Sequence, residues 1–198
     1  ALTTAALPVG PGHTIKNGIL IGLYNNNPGL SFFYYQGEDK PLGRNYLYST
    51  GSDIDSVGCL PARDEGFPRL LVNYGLHGDL TTRLLCFDPL LGRYLPQWEH
   101  SLGSMELCCP ASVTESGRPD ALLLGNGKNL YDPRHFGRKL PQGPPKGLYL
   151  LSCAGEEPQL TLLERYNNNR QISQPCAYTG DYKLYAIIDH IDGRGASV

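Results

Sequence analysis

Apolar positions in this chain come in short runs, and most runs stop at turn-forming residues. Ile19–Tyr24 is apolar, Asn25–Gly29 supplies turn residues, and Leu30–Gln36 runs on, which predicts a hairpin. Asn45–Thr50 alternates polar and apolar positions and stops at Gly51. Arg69–Leu76 and Leu80–Phe87 flank His77-Gly78-Asp79 and predict a second hairpin. Arg93–Trp98 and Ser104–Cys109 are shorter runs on either side of Glu99–Gly103, and Ala121–Leu124 stops at Gly125-Asn126-Gly127. Gly147–Cys153 and Gln159–Tyr166 flank Ala154–Pro158, a third hairpin, and Asp181–Asp189 closes the pattern. No window sustains a 3.6-residue apolar period for three turns. Leu160–Arg165 comes nearest, but it is short and follows Pro158.

Strands that alternate with turns rather than helices predict an all-β fold. The expected architecture is a single-domain β-barrel or sandwich of about ten mainly antiparallel strands with long loops. It covers residues 1–198, with 1–14 and 193–198 as flexible ends. A parallel sheet would need crossover helices that the pattern does not contain. Tyr24-Asn25-Asn26-Asn27 recurs as Tyr166-Asn167-Asn168-Asn169, but the flanks do not match, so these read as two separate Asn-rich turns.

Two segments, Ser52–Pro68 and Gly125–Gly147, carry no strand pattern. The second holds Tyr131, Arg134 and His135, followed by Pro141, Pro144 and Pro145. A proline-stiffened loop presents such groups at low entropic cost. Tyr131, Arg134 and His135 are therefore the candidate contact residues for a binding partner. The alternative is a connection whose Tyr131 and Phe136 pack back onto the fold.

Composition narrows the function. The 24 Gly and 16 Pro make about a fifth of the chain, too much punctuation for a helical bundle. Charged residues are only 18% and the formal net charge is -2, which argues against a basic nucleic-acid-binding domain. No apolar run approaches the ~18 residues of a spanning helix, so membrane insertion is not expected. The chain opens on Ala1 with neither a basic start nor an apolar signal core, and ends in the small, polar Gly193–Val198. The expectation is a domain within a longer protein.

Six cysteines allow three disulfides. Cys86, Cys108 and Cys153 lie inside apolar runs, adjacent Cys108 and Cys109 point to opposite faces of a strand, and no Asn-X-Ser/Thr sequon occurs. Free thiols are expected. The five His are scattered and no Cys pair has zinc spacing, so no metal and no cofactor is expected. Asp189–Gly193 fails as a calcium loop because the closing Glu would fall beyond the chain end. Gly125–Lys128 lacks the P-loop spacing, and there is no G-x-S-x-G elbow. No catalytic residue is assigned and the protein is not expected to be an enzyme. A Cys/His pair such as His100 with Cys109 keeps a Cys-dependent enzyme as one alternative. A carbohydrate-binding sandwich module of a larger extracellular protein, stacking sugar on Trp98, is the other.

The open-turn hairpin Ile19–Gln36, the run Arg69–Phe87 and the closing strand Tyr182–Asp189 give most of the chain a texture that resembles the projecting domains of non-enveloped virus capsids. It is most similar to the capsid spike domains of astroviruses, avian ones among them. The resemblance implies a β-barrel spike on the virion surface, made in the host cytoplasm, that attaches to a host receptor (protein or glycan). It also implies a homodimer and a target of neutralising antibodies. It carries over no site residue. For the dimer face, Leu122-Leu123-Leu124 and Phe32–Tyr35 are candidates, with burial in the core as the competing reading.

Overall fold

The computed structural model describes residues 1–23, 28–60, 62, 66–75, 81–100, 105–111, 120–125, 147–153, 157–165, 170–178, 184–190 and 195–197. Fifteen strands and no helix occur among them. The chain divides into two compact units, Ala1–Ser101 and Leu102–Val198.

In the first unit, β1 (Leu2–Val9), β2 (Thr14–Gly22), β3 (Gly29–Tyr34) and β4 (Gly43–Ser49) form one antiparallel meander. β5 (Ile54–Leu60), β6 (Arg69–Tyr74), β7 (Thr81–Asp88) and β8 (Arg93–His100) form another. Both are open sheets with their strands in chain order, and among the described residues neither closes on itself. The expected all-β, antiparallel fold is present in sandwich form, and the barrel form is corrected. Strand number exceeds the expected ten because β1, β5, β13 and β15 fall where the sequence pattern marks no strand.

The two sheets pack face to face through the residues that alternate inward. Leu7, Leu20, Leu30 and Phe32 of the first sheet meet Ile54, Leu70, Val72, Tyr74, Leu85 and Tyr94 of the second in one buried cluster. The period of two therefore decides the fold, because it places every large apolar side chain of β2 and β3 on one face or the other. Phe32 is the largest fully buried side chain among the described residues, and Gly18 lies beneath its ring: a Cβ there would sit 2.8 Å from two ring carbons. Gly43 does the same for Tyr34, whose ring occupies the space a Cβ would take at 2.3 Å.

The opposite face of the second sheet is also buried at Leu60, Leu71 and Leu84. It carries a cross-strand row of polar residues, with Ser56, Asn73, Thr82 and His100 paired in register. Asn73 donates from Nδ2 to Ser56 Oγ at 2.5 Å, and the Thr82 hydroxyl donates to Asn73 Oδ1. Ser56, Asn73 and Thr82 are tolerated in the interior because each satisfies the next.

In the second unit, β9 (Met105–Ala111), β10 (Asp120–Gly125), β11 (Gly147–Ser152) and β12 (Gln159–Arg165) form a third open antiparallel meander. β13 (Arg170–Tyr178), β14 (Leu184–His190) and β15 (Gly195–Ser197) pair antiparallel, and β13 lies beside β9. Ala121, Leu123, Tyr149, Leu151 and Cys153 are buried. Leu123 and Phe32 are thus core residues rather than members of an exposed dimer face.

Several sequence expectations change. Leu2–Val9, placed in a flexible end, is β1, and its Leu7 is fully buried. Gly195–Ser197 pairs with β14. Ile54–Leu60, inside a segment without strand pattern, is β5, with both ends buried. Leu160–Arg165, the nearest helix candidate, belongs to β12.

Phe32→Ala tests the packing directly. The cavity it leaves should cost about 3–5 kcal/mol. Urea titration should show that loss with an unchanged slope. A loss below about 1 kcal/mol would contradict a core centred on this ring.

Candidate functional site

The most structured corner of the first unit lies where two four-residue turns meet. Residues 10–13 join β1 to β2 and residues 89–92 join β7 to β8. Each turn has a glycine in the left-handed region, Gly10 at φ +70° and Gly92 at +63°. His13 also adopts positive φ, at +50°, and its N–H donates to Gly10 O at 3.0 Å. This conformation is uncommon for a residue with a Cβ, so something must hold it. His13 Nε2 donates to the Pro89 carbonyl at 2.9 Å, and the ring stands edge-on to Phe87 (5.1 Å) and Phe67 (6.0 Å). Phe87 in turn packs against Phe67 at 4.7 Å and Tyr94 at 5.3 Å. The Tyr94 hydroxyl donates to Pro68 O at 3.1 Å, and burial raises its pKa far above the ordinary tyrosine value.

Beside this aromatic cluster is a cavity of about 220 Å³, lined among others by His13, Asn45, Phe87, Arg93 and Tyr94. Asn45 lies on β4 and Arg93 on β8, the strands at one edge of each sheet. Asp88 faces Arg93 in register, yet its Oδ1 accepts from the Leu90 and Leu91 N–H groups at 2.8 and 3.0 Å. That Asx turn holds one carboxylate oxygen over the loop, and no ion pair forms between Asp88 and Arg93. Among the described residues, neither Arg93 nor the Asn45 amide has a hydrogen-bonding or ionic partner.

The turn also displays apolar groups where turns are usually polar. Leu90 is 95% exposed and Leu91 57%. Tyr35 and Leu42, on the loop joining β3 to β4, are exposed at the same end of the sandwich. Leu2, at the opposite end, is exposed as well.

Other chemistry in the first unit is structural or inert. The Arg83 guanidinium lies 5.1 Å over the Tyr74 ring, donates from Nη1 to Tyr48 Oη at 2.5 Å and pairs with Glu99. Burial opposes its charge, but the hydrogen bonds with Glu99 and Tyr48 outweigh that and raise its pKa. The group clasps β4 of one sheet to β7 and β8 of the other. Cys59 lines a second cavity of about 470 Å³ with Thr4, Ala5, Ala6, Ile15 and Pro68. Burial pushes its thiol up to about 11 despite a hydrogen bond from the Ala6 backbone, so little thiolate forms at neutral pH. Among the described residues, no group of three His, Cys, Asp or Glu is placed to hold a metal ion.

The expected contact residues Tyr131, Arg134 and His135 lie outside the described residues. So do both Tyr-Asn-Asn-Asn turns. Trp98 is half-buried and stacks on His100, with centroids 5.9 Å apart and planes 11° from parallel. Cys109 is on β9, and its side chain lies outside the described set. Sequence reasoning missed His13, Asn45 and Arg93. The available signals were Gly-Pro-Gly-His at a turn, and a second turn with two leucines at its tip. Comparison with protein-family models, with curated proteins and with solved structures gives no match.

His100 supplies a pH test. Its Nε2 is buried without a hydrogen-bond partner among the described residues, and burial lowers its pKa from the ordinary histidine value. The folded state therefore favours the neutral ring. Stability from this group is complete above the unfolded value of about 6.5 and is lost as pH falls through the lower folded value. Thermal melts should fall between pH 7 and pH 5, and His100→Phe, which keeps the ring against Trp98, should flatten that fall. An unchanged slope would show that His100 does not titrate on unfolding.

Proposed function

We propose that this chain is a recognition module rather than a catalyst. Its contact surface is the turn end of the first unit. The observation that carries the reading is the corner itself. Two turns from opposite sheets are locked together by His13 and Pro89, and they present exposed Leu90 and Leu91 beside an unpaired arginine. Exposed apolar tips and an available guanidinium on a rigid support are the groups that concentrate binding energy at interfaces. A preformed surface loses little entropy on binding.

The setting follows from the sequence resemblance. A projecting capsid domain of the astrovirus type attaches a particle to a host receptor, as a homodimer at the virion surface. An all-β sandwich with short turns at one end suits that role, because loops carry contacts while the sheets hold them still.

Binding of the labelled chain to epithelial cells, with unlabelled chain as competitor, tests the reading. The wild type should bind saturably. Leu90→Ser with Leu91→Ser should leave the melting temperature nearly unchanged, since both side chains face solvent. The same pair should weaken cell binding by about tenfold or more. Full binding by the double variant would remove the corner as the contact surface, and no saturable binding by the wild type would remove the attachment role.

A further inference from the structure

The cavity at the turn corner has a composition that narrows its ligand. We infer that it binds a single sugar ring carrying a carboxylate, of the hexuronate class. The inference rests on the recognition reading above and names what the corner recognises.

Size sets the first limit. At about 220 Å³ the cavity lies below the range of roughly 300–1,000 Å³ that holds drug-sized ligands. One six-membered ring with its substituents is the scale that fits. A peptide segment or a nucleotide is larger.

Charge sets the second. Arg93 is the one arginine or lysine among the lining residues, and Asp88, its register partner, is committed to the Leu90 and Leu91 amides. A planar guanidinium fork that no carboxylate pairs with among the described residues matches one ligand carboxylate in bidentate geometry. A phosphate dianion would be left half-neutralised by a single fork.

The remaining groups fit a sugar rather than a simple acid. The half-buried Phe87 ring faces the cavity, and its packing against Tyr94, Phe67 and His13 holds it rigid. The C–H face of a pyranose is apolar and packs on such a ring. Asn45, on the opposite edge strand, brings an unbonded amide with both a donor and an acceptor, the pairing that a vicinal diol requires. His13 Nε2 is engaged by Pro89, so the ring is fixed and Nδ1 is its remaining polar atom.

Titration of the 15N-labelled full chain with methyl β-D-glucuronide, methyl β-D-glucoside and acetate, followed by amide chemical shifts, tests this. The glucuronide should bind with a dissociation constant of about millimolar, as a ligand of this size allows. It should move the amides of His13, Asn45 and Arg93. The glucoside, which lacks the charge, and acetate, which lacks the ring, should each bind about tenfold more weakly or worse. Arg93→Ala should bring the glucuronide down to the level of the glucoside, and Arg93→Lys should recover part of the loss. Arg93 is exposed, so the amide spectrum of either variant should otherwise match wild type.

Equal binding of glucoside and glucuronide would overturn the inference, as would an unchanged affinity in Arg93→Ala. The absence of any saturable shift far above millimolar would also overturn it. If cell attachment still depends on Leu90 and Leu91 in that case, the recognition reading stands and only the sugar class is wrong. If the wild-type chain binds no cells either, both fall together.

Discussion

The first unit depends on burying two apolar sheet faces against each other. Neither meander can hold its inward residues out of water alone, since each is open and one layer thick. Face-to-face packing around Phe32, Leu30, Leu70 and Leu85 removes that surface. It also fixes what lies at the ends. Sheets that pack this way bring β4 near β8, and so place Tyr48 within reach of Arg83 and Asn45 on the same cavity as Arg93. The corner is a by-product of sheet packing that the turn residues then elaborate.

Open sheets have edges, and the chain marks them with proline. Pro8 is in β1, Pro96 in β8, Pro110 in β9 and Pro175 in β13, and each of these strands lies at the edge of its own sheet. No other described strand contains proline. Proline lacks the N–H that a central strand must donate, so an edge is where it costs least, and there it also blocks pairing with foreign strands. Register shifts fall in three of these pairings: between Leu84 and Leu85 opposite Pro96, between Leu122 and Leu123 opposite the Pro110 strand, and between Gln174 and Ala177 around Pro175. Such irregularities twist an edge away from its neighbours.

Much of this was legible in the sequence. The hairpins formed by β2 with β3, β6 with β7 and β11 with β12 all fall where alternation and turn residues put them. β1 and β5 were not legible, for physical reasons. Leu2–Val9 is rich in Ala, Thr and Pro, residues with a weak pattern that become a strand because β2 supplies a partner. Ile54–Leu60 carries Gly58 and a register shift that break its alternation. The candidate site was less legible still. His13 meets Pro89 across 76 residues, and Arg93 gains its significance from where Asp88 turns. No local spacing encodes either relation. Trp98, the one tryptophan and the natural sugar-stacking candidate, stacks on His100 instead, while the aromatic ring that faces the cavity is Phe87.

The central claim is that the turn end of the sandwich, not its opposite end, meets the partner. Photo-crosslinking measures this most directly. A photoreactive phenylalanine analogue replaces Leu90 at the turn end in one sample and Leu2 at the far end in another, both positions being exposed. Each labelled chain is bound to living cells and irradiated. The account predicts a covalent adduct to a cell-surface component from position 90, competed away by unlabelled chain, and none from position 2. Adducts from position 2 alone, or equal adducts from both, would contradict it.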